Sequence, residues 1–452
     1  MKMTPKELQY QSRMTGVTHT TLNPYGPGAV RIHLIPPKVT ADGAPSVVIL
    51  NGQDILPLNF AWAVLLNEFI EQVNTYAGAE VTQEQLEQIV QDTITNVRQI
   101  YPKTSTKRLR NDLWCIVNVL CDVAYRRQPS IEIGYMSLGE YAPFMKAPHR
   151  MDLMISAMAQ QGNWHCNQKC LHCYAAGQSL AETKELSTTE WKAILDRCRD
   201  IGIPQVTFTG GEPTMRSDLV ELVDYAQWFV TRLNTNGVLL TPELCRRLYE
   251  ASLDSVQVTF YSFDEKIHNQ LVGANNFQKT LDGIKNALQA GLNVSINTPL
   301  CTLNRDYVET LKMLHECGVR YVTCSGLIIT GNACLDGSKR TQLSHDELLR
   351  ILQEATSFCA EKHMEISFTS PGWLEEQELL ALDLNVPTCG ACLSNMAITP
   401  DGRVVPCQSW LSSDSDLGVI LEQPWDEIWE AEKCATIRAA SSRMAGTCPL
   451  RK

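Results

Sequence analysis

The chain has 452 residues, of which 44% are hydrophobic and 20% charged, and its formal net charge is -11. These are ordinary globular values, and the length allows two or three domains, so wholesale disorder is excluded. No apolar run of about eighteen residues and no signal peptide occurs, which argues against membrane insertion. The acidic balance argues against nucleic acid as a general partner.

Cysteine usage indicates the compartment. The chain contains 17 cysteines. Without an export signal, so many thiols indicate a reducing compartment and metal or redox chemistry rather than a disulfide framework. We therefore expect a cytoplasmic protein.

The pattern of strands and helices in the N-terminal third predicts a small α+β domain over residues 1–145. Strand-like runs occur in AVRIHLI and SVVILNG, and amphipathic helices are predicted over 59–76, 82–100 and 106–125. Residues 10–27 are predicted to be irregular.

Three closely spaced cysteines follow in the run CNQKCLHCY, at Cys166, Cys170 and Cys173. Clusters that only transfer electrons usually have four cysteine ligands, so three thiolates leave one iron of a four-iron cluster open for another ligand. The alternatives are a chance pattern and a zinc site completed by His165 or His172.

A second motif ends the next predicted strand, at Gly210, Gly211, Glu212 and Pro213 in VTFTGGEPT. Glycines at a strand end allow a ligand to approach the backbone closely. The alternatives are a simple tight bend and, for Glu212, a favourable charge before the helix predicted at 217–229.

CxxxCxxC with GGEP about forty residues later resembles the radical S-adenosylmethionine (radical SAM) superfamily. The resemblance implies that the open iron chelates the amino and carboxylate groups of SAM, and that reduction cleaves SAM to a 5'-deoxyadenosyl radical. It assigns the GGEP residues to SAM binding, and Tyr174 matches the aromatic residue that follows the third cysteine. A reductant such as flavodoxin or ferredoxin is implied.

Strand and helix patterns alternate from the cysteine loop onward, which predicts a parallel sheet. Six strands suit a partial (β/α)6 barrel over residues 146–340. Sites on such barrels lie at the carboxyl ends of the strands. The predicted strands are 153–158, 205–209, 229–234, 255–261, 293–299 and 321–325, and the predicted helices are 188–201, 218–228, 242–251, 276–290 and 306–317.

Further strand ends carry candidate SAM contacts. Asn236 lies in NTNG, which is equally typical of a plain turn. Ser262 stands where many relatives have a serine near the ribose, and Asn297 lies in the fifth strand. Cys324 ends the sixth strand, where we expect it to face the cavity and to be a possible hydrogen-atom donor. The alternative for this thiol is core packing, and the same two readings hold for Cys301 and Cys334.

Residues 341–452 hold a second cysteine group. Asp401-Gly402 predicts a hairpin turn that lets Cys407 face Cys389 or Cys392, and a structural zinc is the non-redox alternative. The stretch resembles the SPASM or twitch extension of radical SAM enzymes, which carries auxiliary four-iron clusters. On that resemblance Cys448 is the expected fourth ligand and Cys434 its competitor. A complete SPASM domain has further cysteines beyond this position, enough for two auxiliary clusters. The given sequence has none in the four residues after Cys448, so we expect one auxiliary cluster.

The N-terminal domain resembles the PqqD-like, winged-helix leader-recognition domains of peptide-modifying radical SAM enzymes. This implies a ribosomally made precursor peptide whose leader adds to an exposed strand edge. The product would be a thioether or carbon-carbon cross-link, or an epimerised residue. Alternatives are a tetrapyrrole or other small molecule, a sulfatase substrate, an N-terminal lid or dimerisation domain, and an iron-sulfur redox sensor.

Overall fold

The structure is a computed structural model, which describes residues 3–14, 16–22, 29–37, 45–52, 54–76, 81–129, 131, 134–443 and 448–450. Within these ranges no helix is both long and apolar enough to cross a lipid bilayer. The chain forms two compact units, residues 1–147 with 199–204, and residues 148–198 with 205–452.

The N-terminal unit combines an antiparallel sheet with helices. Its sheet has the strand order β1-β2-β3-β4. The three long helices follow the sheet and match the predicted helices within about two residues at each end. The elements are α1 (Pro5–Gln11), β1 (Thr18–Leu22), β2 (Val30–Ile35), β3 (Ser46–Leu50), β4 (Asp54–Leu58), α2 (Phe60–Asn74), α3 (Gln83–Ile100), α4 (Thr106–Ala124) and the short α5 (Leu138–Tyr141).

Two of the four strands were not predicted. β1 lies in the stretch expected to be irregular, and only its central Thr20 is buried, so its apolar signal is weak. Residues 15 and 23–27 of that stretch lie outside the described residues. β4 contains Pro57, which lacks a backbone donor and is typical of an edge strand.

Local signals explain the helix starts in this unit. Asn59, Thr82 and Ser105 each accept a backbone N–H from the first helical turn, and Thr82 forms a capping box with Gln85. The apolar faces of α2, α3 and α4 pack with β2, β3 and β4 in one core. Burial of these faces supplies the main stabilisation, because isolated helices of this length are marginal in water.

The second unit is built on one continuous sheet with strand order β13-β12-β11-β10-β9-β8-β5-β14-β15-β16. All six predicted barrel strands are present and parallel. They are β5 (Arg150–Ser156), β8 (Gln205–Gly210), β9 (Val230–Thr235), β10 (Ser255–Thr259), β11 (Asn293–Pro299) and β12 (Tyr321–Ser325), and β6 (Ala159–Gln160) and β7 (Asn163–Trp164) form a separate small hairpin.

Helices connect these strands, and the five predicted helices are found within about three residues at their ends. Gly202, Gly291 and Gly318 follow three of them with φ of 88°, 83° and 95°, as expected for left-handed helix ends. The helices are α6 (Thr188–Ile201), α7 (Leu219–Tyr225), α8 (Pro242–Glu250), α9 (Glu265–Val272), α10 (Phe277–Gln289), α11 (Tyr307–Glu316), α12 (Asp336–Lys339) and α13 (His345–Glu361).

The sheet extends beyond six strands at both edges. β13 (Glu365–Phe368) pairs in parallel with β12, so the predicted boundary at 340/341 falls between two strands of one sheet. At the other edge, β14 (Asn395–Ile398) pairs in parallel with β5 and in antiparallel with β15 (Arg403–Val405). The remaining elements are α14 (Glu376–Ala381), β16 (Gly418–Val419), α15 (Trp425–Trp429) and α16 (Glu432–Arg443).

The hairpin that carries Cys407 therefore continues the barrel sheet. Its turn is the predicted Asp401-Gly402, with Gly402 at φ 88°. This connection places the second cysteine group beside β5, next to the loop that holds the first group.

Candidate functional site

A cavity of about 470 Å³ opens among the barrel strands. Polar residues of β8 to β12 face it, whereas the alternate residues, such as Val206, Phe208 and Val258, are buried on the other face. Nine of the predicted site residues line the cavity. They are Cys166, Cys170, Cys173, Tyr174, Gly210, Gly211, Glu212, Asn236 and Asn297.

Backbone hydrogen bonds fix the cysteine loop. Lys169 N and Leu171 N donate to the carbonyl oxygens of Val272 and Leu271 at the end of α9, at 2.9 and 2.8 Å. Asn332 makes two bonds from the other side: Nδ2 donates to Cys170 O at 3.0 Å and its N–H donates to Cys173 O at 2.9 Å.

Two glycines let these segments approach the loop. At Gly331, φ is 57° and a Cβ would collide with the carbonyl oxygens of Cys173 and Tyr174. At Gly273, φ is 64° and a Cβ would collide with Lys169 O. Both positions need glycine for conformation and for space.

The three loop thiols lie close enough to disfavour one another's ionisation. Burial raises the pKa of Cys166 to about 12, with further contributions from Glu212 and Cys173. Burial also raises the pKa of Cys170, and both neighbouring thiols add to that shift. A cationic iron cluster would reverse this balance, because metal coordination deprotonates thiols.

The two glycines of GGEP are sterically constrained. Gly210 has φ 136°, and a Cβ there would overlap the Ser156 carbonyl oxygen. A Cβ on Gly211 would lie 2.5 Å from Ala157 O. Gly211 O accepts a hydrogen bond from Cys166 Sγ at 3.5 Å, so the glycine turn lies directly against the cysteine loop.

Glu212 is buried and links the ends of β8 and β9. Its Oε1 accepts hydrogen bonds from Thr214 N at 3.0 Å, Thr214 Oγ1 at 2.5 Å and Thr235 Oγ1 at 2.6 Å. Its Oε2 accepts from Asn236 N at 2.8 Å. Burial raises its pKa, although these hydrogen bonds oppose the shift. The carboxylate thus positions cavity-lining backbone on two strands.

Asn236 also reaches the cysteine loop, since its Nδ2 donates to Asn167 Oδ1 at 2.6 Å. Thr280 Oγ1 donates to Asn236 O at 3.1 Å. Asn236 is therefore held by partners on three sides, more than the predicted turn alone requires.

Arg216 supports the GGEP segment from behind. Its Nη1 donates to Ile155 O at 2.9 Å and to Glu185 Oε2 at 3.2 Å, and its Nη2 donates to Asp218 Oδ2 at 2.7 Å. Glu185 Oε1 accepts from Ala157 N at 2.8 Å. This network holds the strand end against which Gly211 packs.

Ser262, Pro213 and Cys324 lie outside the lining of the cavity. Ser262 is buried, and its Oγ accepts from Asp264 N at 3.1 Å at the start of α9. Pro213 is buried behind the glycine turn. The prediction that Cys324 faces the cavity is wrong, because strand alternation directs its neighbours Thr323 and Ser325 inward.

Cys324 is fully buried, and its pKa is raised by burial with a smaller contribution from Cys359. The other two thiols predicted at the cavity do not line it either. Cys301 is buried, and its backbone N donates to Asn304 Oδ1 at 2.8 Å. Cys334 is exposed, and its Sγ donates to Ile329 O at 2.9 Å.

The C-terminal cysteines also come together. Burial raises the pKa of Cys407 to about 12, with added effects from Cys389 and Cys448. Cys392 adopts φ 54°, a strained conformation for a non-glycine residue, and its N–H donates to Pro406 O at 3.1 Å. The predicted set of Cys389, Cys392, Cys407 and Cys448 is thus assembled around one hairpin.

Cys434 joins this group. A hydrogen bond from Cys392 lowers the pKa of Cys434 and raises that of Cys392. Arg438 Nη1 also donates to Cys434 Sγ at 3.5 Å, and its guanidinium stacks over Trp429 at 3.9 Å. Five thiols therefore lie near this hairpin, one more than the four predicted ligands.

Tyr174 lies between the two cysteine groups. Its hydroxyl donates to Gln408 Oε1 at 3.4 Å. Burial raises its pKa, and the thiols of Cys173 and Cys407 both add to the shift. Gln408 and Ser409 line the cavity, so the loop after β15 forms part of the cavity wall.

The zinc alternative finds no support at the first cysteine group. His172 Nε2 lies 2.7 Å from Thr341 Oγ1, and His165 Nε2 lies 3.4 Å from Glu185. In the part of the chain that the structure describes, no three His, Cys, Asp or Glu side chains are arranged to hold a single metal ion. Three converging thiols beside a crowded glycine turn suit a larger cluster with an open position for SAM.

Comparison with known families agrees with this geometry. Residues 165–314 match the model of the radical SAM superfamily, and residues 389–449 match the SPASM iron-sulfur cluster-binding domain. The chain therefore contains a radical SAM domain and a SPASM domain, and it is an enzyme. The predicted fold class, the [4Fe-4S] cluster with SAM, and auxiliary iron-sulfur binding are confirmed. The number of auxiliary clusters and the individual ligands stay predictions.

The similar proteins belong to two groups, which differ in the molecules that their names describe. The AdoMet-dependent heme synthase of Methanosarcina barkeri is 29% identical over 283 residues, which cover 59% of this chain and 79% of that protein. Streptococcus suis SuiB bound to precursor peptide SuiA is 15% identical with a TM-score of 0.60, covering 90% of this chain and 92% of that one. AdoMet-bound anSMEcpe is 18% identical with a TM-score of 0.52, covering 66% and 81%.

Several site residues carried no sequence signal. Asn332, Gly331 and Gly273 hold the cysteine loop from distant positions in the chain. Glu185 and Arg216 form the support behind GGEP. Their roles in holding the loop and the turn are revealed only by tertiary contacts.

Proposed function

We propose that this enzyme modifies a ribosomally made precursor peptide. The N-terminal unit holds the leader, and the barrel cavity receives the core peptide. The observation that supports this best is the fold similarity to SuiB, which extends over 90% of this chain and so includes most of both units. A solved SuiB structure contains a bound precursor peptide.

The N-terminal sheet offers two edges for an added strand. On β4, Ile55 O already accepts from Met136 N at 3.2 Å, and Pro57 lacks an N–H. On β1, His19 O accepts from Asn74 Nδ2 at 2.8 Å, while Thr18 Oγ1 donates to Asn67 Oδ1 at 2.5 Å. An extended leader would supply backbone partners to the remaining edge groups. Hydrogen exchange with and without peptide would identify which strand is used.

The chain's own residues bind and orient the reactants. When bound, the reduced cluster at Cys166, Cys170 and Cys173 supplies the electron for SAM cleavage, and an auxiliary cluster offers a second redox centre. Gly210 and Gly211 present backbone where SAM's methionine end would bind, and Glu212 holds that backbone in place. The strands around the cavity would limit the access of water to a reactive radical.

Cross-link formation is favoured over epimerisation. The epimerase that we considered uses a cysteine thiol to return a hydrogen atom to the substrate radical. Of the described cysteines, those that line the cavity are Cys166, Cys170 and Cys173, which are proposed cluster ligands. Cys324 lies on the other face of the sheet. The product we propose is therefore a thioether or carbon-carbon bond.

For the auxiliary cluster we propose Cys389, Cys392, Cys407 and Cys448 as ligands. Cys434 is then the fifth thiol, held by Arg438 and hydrogen-bonded to Cys392. We expect the protein to act in the cytoplasm with flavodoxin or ferredoxin as reductant, because free thiols and iron-sulfur clusters need a reducing environment.

A second candidate substrate is a tetrapyrrole. It is supported by the 29% identity to a heme synthase, which leaves about two-fifths of this chain unmatched. We favour the peptide because the N-terminal unit has a core of its own, which a small substrate does not require.

The test uses the full-length enzyme, reconstituted anaerobically and supplied with SAM and dithionite. Peptides encoded beside the gene are assayed by mass spectrometry for loss of two hydrogen atoms, in parallel with porphyrin precursors. A modified peptide together with 5'-deoxyadenosine supports the proposal. Turnover of a porphyrin precursor with no peptide modified would reject it in favour of the second candidate.

A further inference from the structure

The cavity continues below the predicted SAM-binding edge and becomes cationic there. Arg150 on β5 and Arg232 on β9 both line it, together with Thr207, Asn234 and Gln257. A barrel interior is usually filled by branched apolar side chains. A polar interior with two arginines therefore indicates a functional role for this part of the cavity.

Arg150 has a partner within the same strand. Its Nε lies 2.9 Å from Asp152 Oδ1, and its Nη2 donates to Asp152 Oδ2 at 3.3 Å. Asp152 is 1% exposed. This carboxylate balances one of the two guanidinium charges.

Arg232 is less fully paired. Among the described residues, its hydrogen bond is from Nε to Ser255 Oγ at 3.4 Å. Burial and the positive charge of Arg150 lower its pKa, and Asp152 opposes that effect in part. Arg150, Asp152 and Arg232 together carry a net charge of +1, which is costly in a confined site without a counter-ion.

The strand register gives the depth of this group. Arg232 pairs with Thr207, three residues before Gly210 on β8. At about 3.3 Å per residue, the arginine lies roughly 10 Å along the strands from the glycine turn. This distance separates it from the edge where SAM's own carboxylate would bind, and leaves space between the two for a substrate.

Two further polar atoms line this part of the cavity, one on Thr207, which is level with Arg232, and one on Asn234, which is two residues nearer the carboxyl end of β9. Thr207 Oγ1 and Asn234 Oδ1 are buried without a hydrogen-bond partner among the described residues. Buried polar atoms are normally paired, so unpaired ones beside a cavity mark a place for a polar ligand.

We propose that Arg232, supported by Arg150, binds a carboxylate group of the substrate at the floor of the cavity. The inference rests on the proposed function: the carboxylate belongs to the core peptide, as an acidic side chain or as the C-terminus. Guanidinium binds carboxylate in a bidentate, charge-assisted geometry. The bound carboxylate neutralises the excess charge and fixes the depth at which the peptide enters.

The experiment compares matched probes on the full-length, reconstituted enzyme with SAM bound. N-acetylglutamate α-amide is compared with N-acetylglutamine α-amide for the side-chain source, and N-acetylalanine with N-acetylalanine amide for the C-terminal source. Binding is followed by saturation-transfer NMR titration. We expect the acid of one pair to bind about tenfold more tightly than its neutral partner.

The variant Arg232→Gln should abolish this preference and leave the SAM dissociation constant unchanged. The control is Arg246→Gln, since Arg246 is an exposed residue on α8 paired with Glu243 and Glu250, and it should keep the preference. Equal binding of acid and amide by the unaltered enzyme would overturn the proposal. So would a preference that survives Arg232→Gln, or a loss of SAM affinity in that variant.

A second measurement covers the case in which Arg232→Gln does not fold. Crystals of the unaltered enzyme soaked in 3-bromopropionate should show anomalous bromine signal beside Arg232, and signal elsewhere alone would overturn the site. Failure of the proposed function is distinguishable. If the enzyme prefers the carboxylate probe but modifies no peptide, the carboxylate site is supported and the peptide substrate is rejected. If it modifies the peptide but shows no such preference, the peptide substrate is supported and the carboxylate site is rejected.

Discussion

Replacing Glu212 by glutamine tests how the GGEP turn is held. The change preserves shape and removes one acceptor. Oε1 accepts three hydrogen bonds and Oε2 accepts one, from Asn236 N. The amide oxygen should keep the three-donor position, because the opposite orientation leaves more donors unpaired. The new NH2 group then faces the Asn236 N–H, donor against donor.

The size of the effect follows from that contact. A hydrogen bond to a charged group contributes about 1.5–3 kcal/mol, and an unpaired buried N–H costs about 1–3 kcal/mol. Removing the buried charge offsets part of this, since burial raises the pKa of Glu212. We expect the substitution to destabilise the folded GGEP turn by about 2 kcal/mol. This free energy corresponds to a roughly thirtyfold change in an equilibrium constant.

The assay is SAM binding by equilibrium dialysis to the reconstituted enzyme, together with urea unfolding. Glu212→Gln should weaken SAM binding about tenfold to thirtyfold, because the backbone of Gly211 and Asn236 loses its relative placement. Glu221→Gln is the control, since Glu221 is an exposed partner of Lys192, and such surface pairs contribute little. Unchanged SAM affinity and unchanged unfolding midpoint in Glu212→Gln would refute this account of the carboxylate.

Three other outcomes are expected. Burial lowers the pKa of His268 from 6.5 to about 4. The unfolded chain therefore binds the extra proton between those pH values, and stability falls as the pH drops. In urea titrations of the iron-free protein, His268→Gln should reduce that slope by about 1.4 kcal/mol per pH unit, and an unchanged slope would show that His268 titrates normally. Cys448→Ser should lower the iron content from about eight to about four per chain while Cys434→Ser keeps it; the reverse result would make Cys434 the ligand. Asn332→Ala should increase loss of iron from the first cluster under mild chelation, because Cys170 O loses its partner, and equal loss rates would contradict that role.

Helices and strands were predictable where hydrophobic residues recur at a regular spacing along the chain. Six barrel strands and five connecting helices follow from alternating apolar runs and terminal glycines, and the structure reproduces them closely. The elements missed have weak local signals. β1 buries only Thr20, β4 contains Pro57, and β13 buries only Phe368. Tertiary pairing stabilises these strands, so their own sequences do not reveal them.

The candidate site divides in the same way. The cysteine loop and the glycine turn have compact motifs, and both line the cavity as expected. Cys324 was placed on the wrong face because a one-residue difference along a strand reverses the direction of a side chain. Asn332 and Arg232 form hydrogen bonds with residues that are distant in the sequence, and neither belongs to a recognised motif. Such residues are identified only when strand register and loop contacts are known.

The connection between the two cysteine groups is a property of the tertiary structure as well. β14 extends the barrel sheet beside β5. The hydroxyl of Tyr174 donates a hydrogen bond to Gln408, which lies in the loop after Cys407. This arrangement places the loop after β15 in the wall of the cavity. A substrate there would meet residues of both the radical SAM and the SPASM domains.

The central claim is that a precursor peptide is the substrate, and mass spectrometry tests it most directly. The full-length enzyme is incubated anaerobically with SAM, dithionite and a peptide encoded beside its gene, and 5'-deoxyadenosine is quantified in the same samples. We predict a peptide lighter by two hydrogen atoms, formed in proportion to 5'-deoxyadenosine. An unchanged peptide, with a porphyrin precursor converted under the same conditions, would contradict the account.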